Sequence, residues 1–233
     1  MVVPRQVTSY LAAVYPTLVL EQGWLSACVE YLQVPPDQAP HILAKSVEQQ
    51  LLLSDLSAST APDTSKLPDP TPEPHNILIG SGPRSSILVQ IEEITEIAHS
   101  ASSLRDVAEQ RRADDLFVAR LEEEVGDAAF QGDAEMNLVE GDERGPPKFP
   151  KGMLKLLLSD GDKFIEALEY KRIPELSLEE TRLGTKILLK GPLCRRGVLL
   201  LEPTNVIIKG GQVEEQQVLA KEIFDAMIRR RLG

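Results

Sequence analysis

Histidines, cysteines and paired carboxylates are the side chains that most often carry catalysis or hold metals, and in this 233-residue chain they are sparse and scattered. His41, His75 and His99 share no ligand spacing with one another or with any Cys, Asp or Glu, so no metal site can be written through them. Cys28 and Cys194 are the only cysteines. Two lone thiols so far apart suit free side chains in a reducing compartment. Gly80-Ser81-Gly82-Pro83 comes nearest to a glycine-rich loop, but its proline removes a backbone N–H that a phosphate cradle needs. Asp160 and Asp162 flank Gly161 and read as turn residues rather than an acid–base pair. No Ser or Cys stands in a nucleophile-elbow context. Neither catalysis, nor a cofactor, nor a small-molecule substrate is expected.

What remains is the chemistry of surfaces. Lys and Arg number 25 against 36 Asp and Glu, a formal charge of -11 with a pI near 4.9. Such a chain gains little from long-range attraction to phosphates, so contact with DNA is expected to be weak or indirect. The acid is concentrated between Arg105 and Pro150, with 13 acidic and 6 basic side chains. Residues 151–211 lean the other way, with 11 Lys and Arg against 8 Asp and Glu. Binding of single strands also needs exposed rings on which bases stack. Only Phe164 and Tyr170 qualify in that stretch, and both fall in one strand where burial in a core is expected. The start, Met1-Val2-Val3-Pro4-Arg5, lacks the features of a signal peptide, and no apolar run is long enough to span a bilayer. An intracellular soluble protein without membrane contact is expected.

The elements that position these surfaces fall into successive stretches. Residues 1–56 carry three amphipathic stripes: Val7, Leu11 and Val14; Trp24, Cys28 and Leu32 beside Leu25 and Val29; and Val47, Leu51 and Leu52. Short helices with one stripe each must bury it against one another or a neighbour, which predicts a helical bundle. Residues 57–83 hold five prolines between Pro62 and Pro74 and read as a linker. Residues 84–233 carry the strand pattern. Ile87, Val89 and Ile91 alternate, then the phase slips at Glu92-Glu93 before Ile94, the mark of a bulge. Leu154, Leu156 and Leu158 lead to a hairpin at Asp160-Gly161 and a returning strand from Phe164 to Tyr170. Gly184–Gly191 and Gly197–Lys209 supply the fourth and fifth strands, with Val198 and Leu200 expected in the core. From 212 to 232 the period is helical, ending in Arg229-Arg230-Arg231, which read as a solvated helix end. The fold class is therefore α+β: an N-terminal three-helix bundle packed on a five-stranded OB-fold β-barrel, with a C-terminal helix and a long insertion at 101–150 between strands one and two. The first half of that insertion, Ser103 to Val125, has a helical stripe in Val118, Leu121 and Val125.

Several segments resemble the N-terminal region of the RecQ-mediated genome instability protein 1 family. They are Trp24-Leu25-Ser26-Ala27-Cys28, Leu52-Leu53-Ser54-Asp55-Leu56, Leu157-Leu158-Ser159-Asp160-Gly161, Gly184-Thr185-Lys186-Ile187-Leu188, and above all Leu201-Glu202-Pro203-Thr204-Asn205-Val206. The resemblance covers most of the chain in order. It implies a non-catalytic adaptor of a type IA topoisomerase, topoisomerase III, working in the nucleus with a RecQ helicase to dissolve double Holliday junctions. It also implies that the insertion between strands one and two reaches into the topoisomerase gate and modulates it, and that Lys186 lies near the partner on the barrel surface. The chain ends at Gly233 and is either a short member or the N-terminal part of a longer one.

Each candidate contact has a plain alternative. Leu116, Phe117 and Leu121 either anchor the partner or pack the insertion helix onto the barrel. Glu122, Glu123 and Glu124 supply the acid that a basic gate would attract. Phe130 and Phe149 sit among Gly, Pro and acids, where exposed rings often serve as anchors. Lys186 is either a partner contact or a solvated strand residue. The competing function is a single-stranded-DNA-binding OB module of another repair or telomere complex.

Overall fold

The amphipathic N-terminal stripes fold as helices in a computed structural model that describes residues 3–32, 40–69, 76–80, 82, 84–129 and 147–233. α1 (Arg5–Val14) buries Val7 and Leu11, α2 (Gln22–Leu32) buries Leu25, Cys28 and Val29, and α3 (Pro40–Leu53) buries Ala44, Val47 and Leu51. These stripes meet in one cluster around Tyr15, whose hydroxyl donates to Glu48 at 2.6 Å. The bundle has a fourth member beyond the expected three, α4 (Leu56–Ser59), capped by the Asp55 carboxylate, which accepts the Ser57 N–H at 2.8 Å.

Among the described residues the sheet has eight strands rather than five. They are β1 (Asn76–Leu78), β2 (Ile87–Glu96), β3 (Leu154–Ser159), β4 (Phe164–Glu169), β5 (Lys186–Leu189), β6 (Leu193–Arg195), β7 (Val198–Leu201) and β8 (Val206–Gly210), in the order β1-β6-β7-β4-β3-β2-β5-β8. All pairs are antiparallel except β4 with β7. Near its two ends the order holds β6 and β5, which only residues 190–192 separate along the chain. The sheet must therefore curl until those ends meet. The expected fifth strand is cut into β7 and β8 by a turn in which the Asn205 N–H donates to the Glu202 carbonyl at 3.0 Å, with Pro203 between them. β2 slips register against β3 between Ile91 and Glu93, where the alternation slips.

Inside the curl lies the larger core, with Ile91, Leu158, Ile187, Leu199 and Leu201 almost wholly buried. Val198 and Leu200 were expected there, yet β7 turns Leu199 and Leu201 inward and these two outward. A strand that is apolar at every position has no alternation to phase it. Phe164 and Tyr170 are likewise outside, 54% and 58% exposed, because β4 sends Ile165 and Ala167 inward. Cys28 and Cys194 are buried free thiols.

Part of the proline-rich stretch is docked rather than a free linker. The buried Leu67 joins the barrel core, and β1 pairs with β6. Asp160, at the β3–β4 turn, accepts the Ser65 hydroxyl at 2.7 Å and the backbone N–H groups of Lys66 and Leu67 at 2.8 and 3.1 Å. Burial alone would raise this carboxyl, but the hydrogen bonds from Ser65, Lys163, Lys66 and Leu67 outweigh it and hold the group below its ordinary range.

The bundle seats on the barrel through Leu88 and Leu188, which join the helical cluster, and through Gln90, whose side-chain carbonyl accepts the Leu56 N–H at 3.1 Å. The backbones also approach closely: a Cβ on Gly211 would stand 2.0 Å from the Leu52 carbonyl oxygen. Two further helices, α6 (Glu214–Val218) and α7 (Ala220–Leu232), replace the single expected C-terminal helix, and α5 (Ala101–Ala129) leaves from the end of β2. Among the described residues no helix is long and apolar enough to cross a membrane.

Gly210 and Gly211 provide a paired test, because both have φ near +80° but nothing lies within 4 Å of a Cβ at Gly210. Gly210→Ala is expected to cost about 1–2 kcal/mol in urea melts, the cost of the left-handed conformation alone. Gly211→Ala should lose a further ~1–3 kcal/mol through overlap with Leu52. Equal losses would mean that the bundle does not seat there. Asp160 gives a pH test. Its folded carboxyl titrates below its unfolded value, so its stabilisation is complete above the ordinary carboxylate range and is lost as pH falls through the folded value. The stability gap between wild type and Asp160→Asn should therefore be widest near neutrality and shrink on acidification.

Candidate functional site

Of the elements added to the barrel, α5 is the one that leaves its body. It starts at Ser100, whose hydroxyl accepts the Ser103 N–H at 3.1 Å and caps the first turn. The preceding corner is held by the buried Glu96 carboxylate, which accepts the N–H groups of Ala98 and His99 at 2.7 and 2.9 Å. Ala101 and Leu104 then pack on Ile228 of α7, with Phe149 and Phe224 beside them.

Basic residues lock this base. Arg231 donates to the carbonyls of Glu96 and His99 at 2.6 and 2.8 Å, and Arg230 pairs with Glu93 at 2.8 Å. The expected solvated helix end is thus half a clamp on the β2–α5 corner, with Arg229 alone bonded within its own helix. Arg112 pairs with Asp225 of α7 at 2.6 Å. Arg111 donates to the Pro147 carbonyl, pairs with Glu179 and lies 4.7 Å from the centre of the Phe149 ring. Phe149 in turn packs on Phe224 at 5.5 Å between ring centres. Phe149, expected to be an exposed anchor, is therefore half-buried and fastens the returning chain to the helix base. Its neighbours Pro146, Pro147 and Pro150 suggested exposure; the partner ring Phe224 lies too far along the chain to be seen.

Beyond this base the helix stands clear. Every residue from Ala113 to Arg120 is exposed, more than two turns with no face covered by the described residues. Leu116, Phe117 and Val118 are 62%, 64% and 51% exposed, so they do not pack on the barrel. Leu121, Glu122, Glu123 and Glu124 fall in the same helix, with side chains outside the described residues, and Phe130 lies outside the described residues altogether.

Lys186, expected on the barrel surface, is instead fully buried. All four residues of β5 are buried, because β2 and β8 flank it and the bundle covers its outer side. The run Ile187-Leu188-Leu189, apolar in both phases, was the available sign of two covered faces. Lys186 Nζ donates to the Gly184 carbonyl at 2.8 Å. Burial lowers its pKa to about 8, against the opposing pull of Asp55 and Glu92. Burial, reinforced by repulsion from Asp55, raises the carboxyl of Glu92. Its oxygens accept the side-chain amides of Gln90 at 2.9 Å and Gln216 at 2.6 Å. These groups form a polar seam between bundle, barrel and α6.

Under the arm a cavity of about 320 Å³ lies between α5 and α7, lined by Ile94, Ala108, Phe149, Phe224 and Met227. Among the described residues no group of three His, Cys, Asp or Glu could hold a metal ion. What the arrangement presents is an exposed helical surface on a fixed base.

Comparison with known proteins agrees on both parts of the chain. Residues 63–223 match the family model "RMI1, N-terminal OB-fold domain" and residues 11–59 match "RMI1, N-terminal helical domain". RecQ-mediated genome instability protein 1 of Schizosaccharomyces pombe is 33% identical over 207 residues, which is 84% of this chain and 83% of that protein. The protein of the same name from Mus musculus is 31% identical over 217 residues, 86% of this chain but 30% of its own length. Tudor domain-containing protein 3 of Xenopus tropicalis is 30% identical over 114 residues, 48% of this chain and 16% of that protein. With a helical domain and an OB-fold matched in order, this chain belongs to the RecQ-mediated genome instability protein 1 family.

Proposed function

We propose that this protein is a non-catalytic adaptor in the nucleus that presents its α5 arm to a type IA topoisomerase, topoisomerase III. Through that enzyme it works with a RecQ helicase, stimulating decatenation and double Holliday junction dissolution by modulating the topoisomerase gate. One observation carries the reading: a helix fixed at its base leaves the body with Leu116, Phe117 and Val118 exposed and no surface among the described residues covering them. Exposed apolar side chains on a fixed element are what an interface anchor requires. The acid of the arm suits the basic interior of a DNA-handling enzyme, where it would compete with phosphates. The name of the relatives supports the link to RecQ.

Base and arm are expected to separate in experiment. Leu116→Ser with Phe117→Ser should change stability by no more than about 0.5 kcal/mol and abolish stimulation of decatenation by the cognate topoisomerase III. Leu104→Ala, at the base, should cost ~2–4 kcal/mol. Replacing Glu122, Glu123 and Glu124 by Gln should weaken stimulation most at low salt. A doubly substituted arm that stimulates like the intact protein would remove the basis for the reading.

The exposure of Phe164 and Tyr170 is what favours the alternative, a single-strand-binding module of another repair or telomere complex. Phe164 opens β4 and Tyr170 follows its last residue, six residues on and about 20 Å away, with Glu166 and Leu168 between them on the same face. That is too far for neighbouring bases to stack in succession. Titration with a labelled oligonucleotide is expected to give weak binding that collapses with salt.

A further inference from the structure

The outside of the barrel has three sectors. One lies under the helical bundle, at Leu88 and Leu188. A second lies under α7, which Arg230 and Arg231 hold against Glu93 and the Glu96 carbonyl. The third crosses β1, β6, β7, β4 and β3, and none of its outward aliphatic side chains packs into any buried cluster.

Register makes that third sector continuous. Leu78 stands opposite Leu193, Leu193 opposite Leu200, and Leu200 opposite Leu168, with Lys155 next. Residues directly opposed in adjacent strands share a face. The residues one step along, Cys194, Leu199, Ala167 and, after Leu78, Ile79, are buried, so the four leucines lie on the outer face, Leu193, Leu200 and Leu168 half-buried there and Leu78 exposed. At about 4.8 Å per strand the row is ~15 Å long, the length of about ten helical residues. Leu78 is 59% exposed, Val198 lies beside the row, and Tyr170 stands two residues beyond Leu168. Single leucines on a surface need no explanation; an aligned row does.

The charge around the row is inverted relative to the chain. Lys155, Lys163 and Lys171 pair with Glu166, Asp69 and Glu202 at 2.6, 2.7 and 2.7 Å. That leaves Arg172, Arg195 and Arg196 exposed with no acidic partner among the described residues. We propose that this sector docks an amphipathic segment of a partner protein, with leucine-sized side chains laid across the row and acidic residues on its flanks meeting the three arginines. The surface is distinct from the α5 arm. The row itself is aliphatic, and the exposed rings beside it, Tyr170 and Phe164, stand too far apart for neighbouring bases to stack in succession, which disfavours nucleic acid as its occupant.

The test pans the intact chain against a displayed library of random helical peptides about sixteen residues long, with labelled oligothymidine in parallel. Enriched peptides are expected to repeat Leu, Ile or Met at helical spacing with Asp or Glu beside them. Their affinity should fall about ten-fold or more in Leu168→Asp, in Leu200→Asp, and in the double change Arg195→Glu, Arg196→Glu. The arginine variant touches no core residue and keeps the test decisive should an aspartate variant fail to fold. The proposal is overturned by failure to enrich such peptides, by peptides whose binding the arginine variant leaves unchanged, or by oligothymidine that competes for the same surface.

Discussion

A helix about 43 Å long cannot keep a direction in space unless its first turns are fixed, and the fixing of α5 is what the rest of this molecule depends on. Isolated helices draw little stability from propensity alone, so tertiary packing must hold the base. Leu104 under Ile228 supplies the apolar contact, and Arg231 ties the corner from which the helix starts. Arg111 does the same for the chain that returns, through Pro147 and Phe149. With entrance and exit gripped at one level of the helix, Leu116 and Phe117 are carried at a set distance from the barrel rather than at the end of a tether.

The seam between bundle and barrel follows a different logic. Asp55 caps α4, Gln90 reaches both Leu56 and Glu92, Gln216 of α6 closes on Glu92, and Lys186 supplies the positive charge. Burying charge is costly, and such groups seldom add net stability over a well-packed apolar seam. Their effect is on geometry: an apolar surface such as Leu88 with Leu188 can slide, whereas amides and carboxylates meet in only one register.

Much of this was legible along the chain because it is encoded locally. The slip at Glu92-Glu93, the turn at Asp160-Gly161 and the helical stripes of the bundle each rest on a few consecutive residues. What could not be read depends on residues far apart. The phase of β7 is set by its parallel neighbour β4, not by Val198–Leu201, which is apolar throughout. The burial of Phe149 needs Phe224, and the docking of Leu67 needs the carboxylate of Asp160. Lys186 misled because a charged residue suggests solvent, whereas both faces of its strand are covered. The most specific string of the resemblance to the family, Leu201–Val206, is a strand end, turn and strand start of the barrel, the other strings are spread over bundle and barrel, and both domains match the family in the same order.

The position of β2 has a consequence for how the chain folds. It pairs with β3 on one side and β5 on the other, yet Glu96 and Leu154, which oppose each other, are separated by the whole excursion that holds α5. Closing a loop costs entropy that grows by about 0.6 kcal/mol with each doubling of its length, and contacts distant in sequence slow the search for the native state. The β3–β4 hairpin, local and closed by Asp160, needs no such search. The expected sequence of events is therefore hairpin first, with β2 joining late. Helix α5, formed within microseconds, would shorten the effective tether before its ends meet, so the same element that reaches outward in the finished molecule would hasten the closing of the barrel during folding.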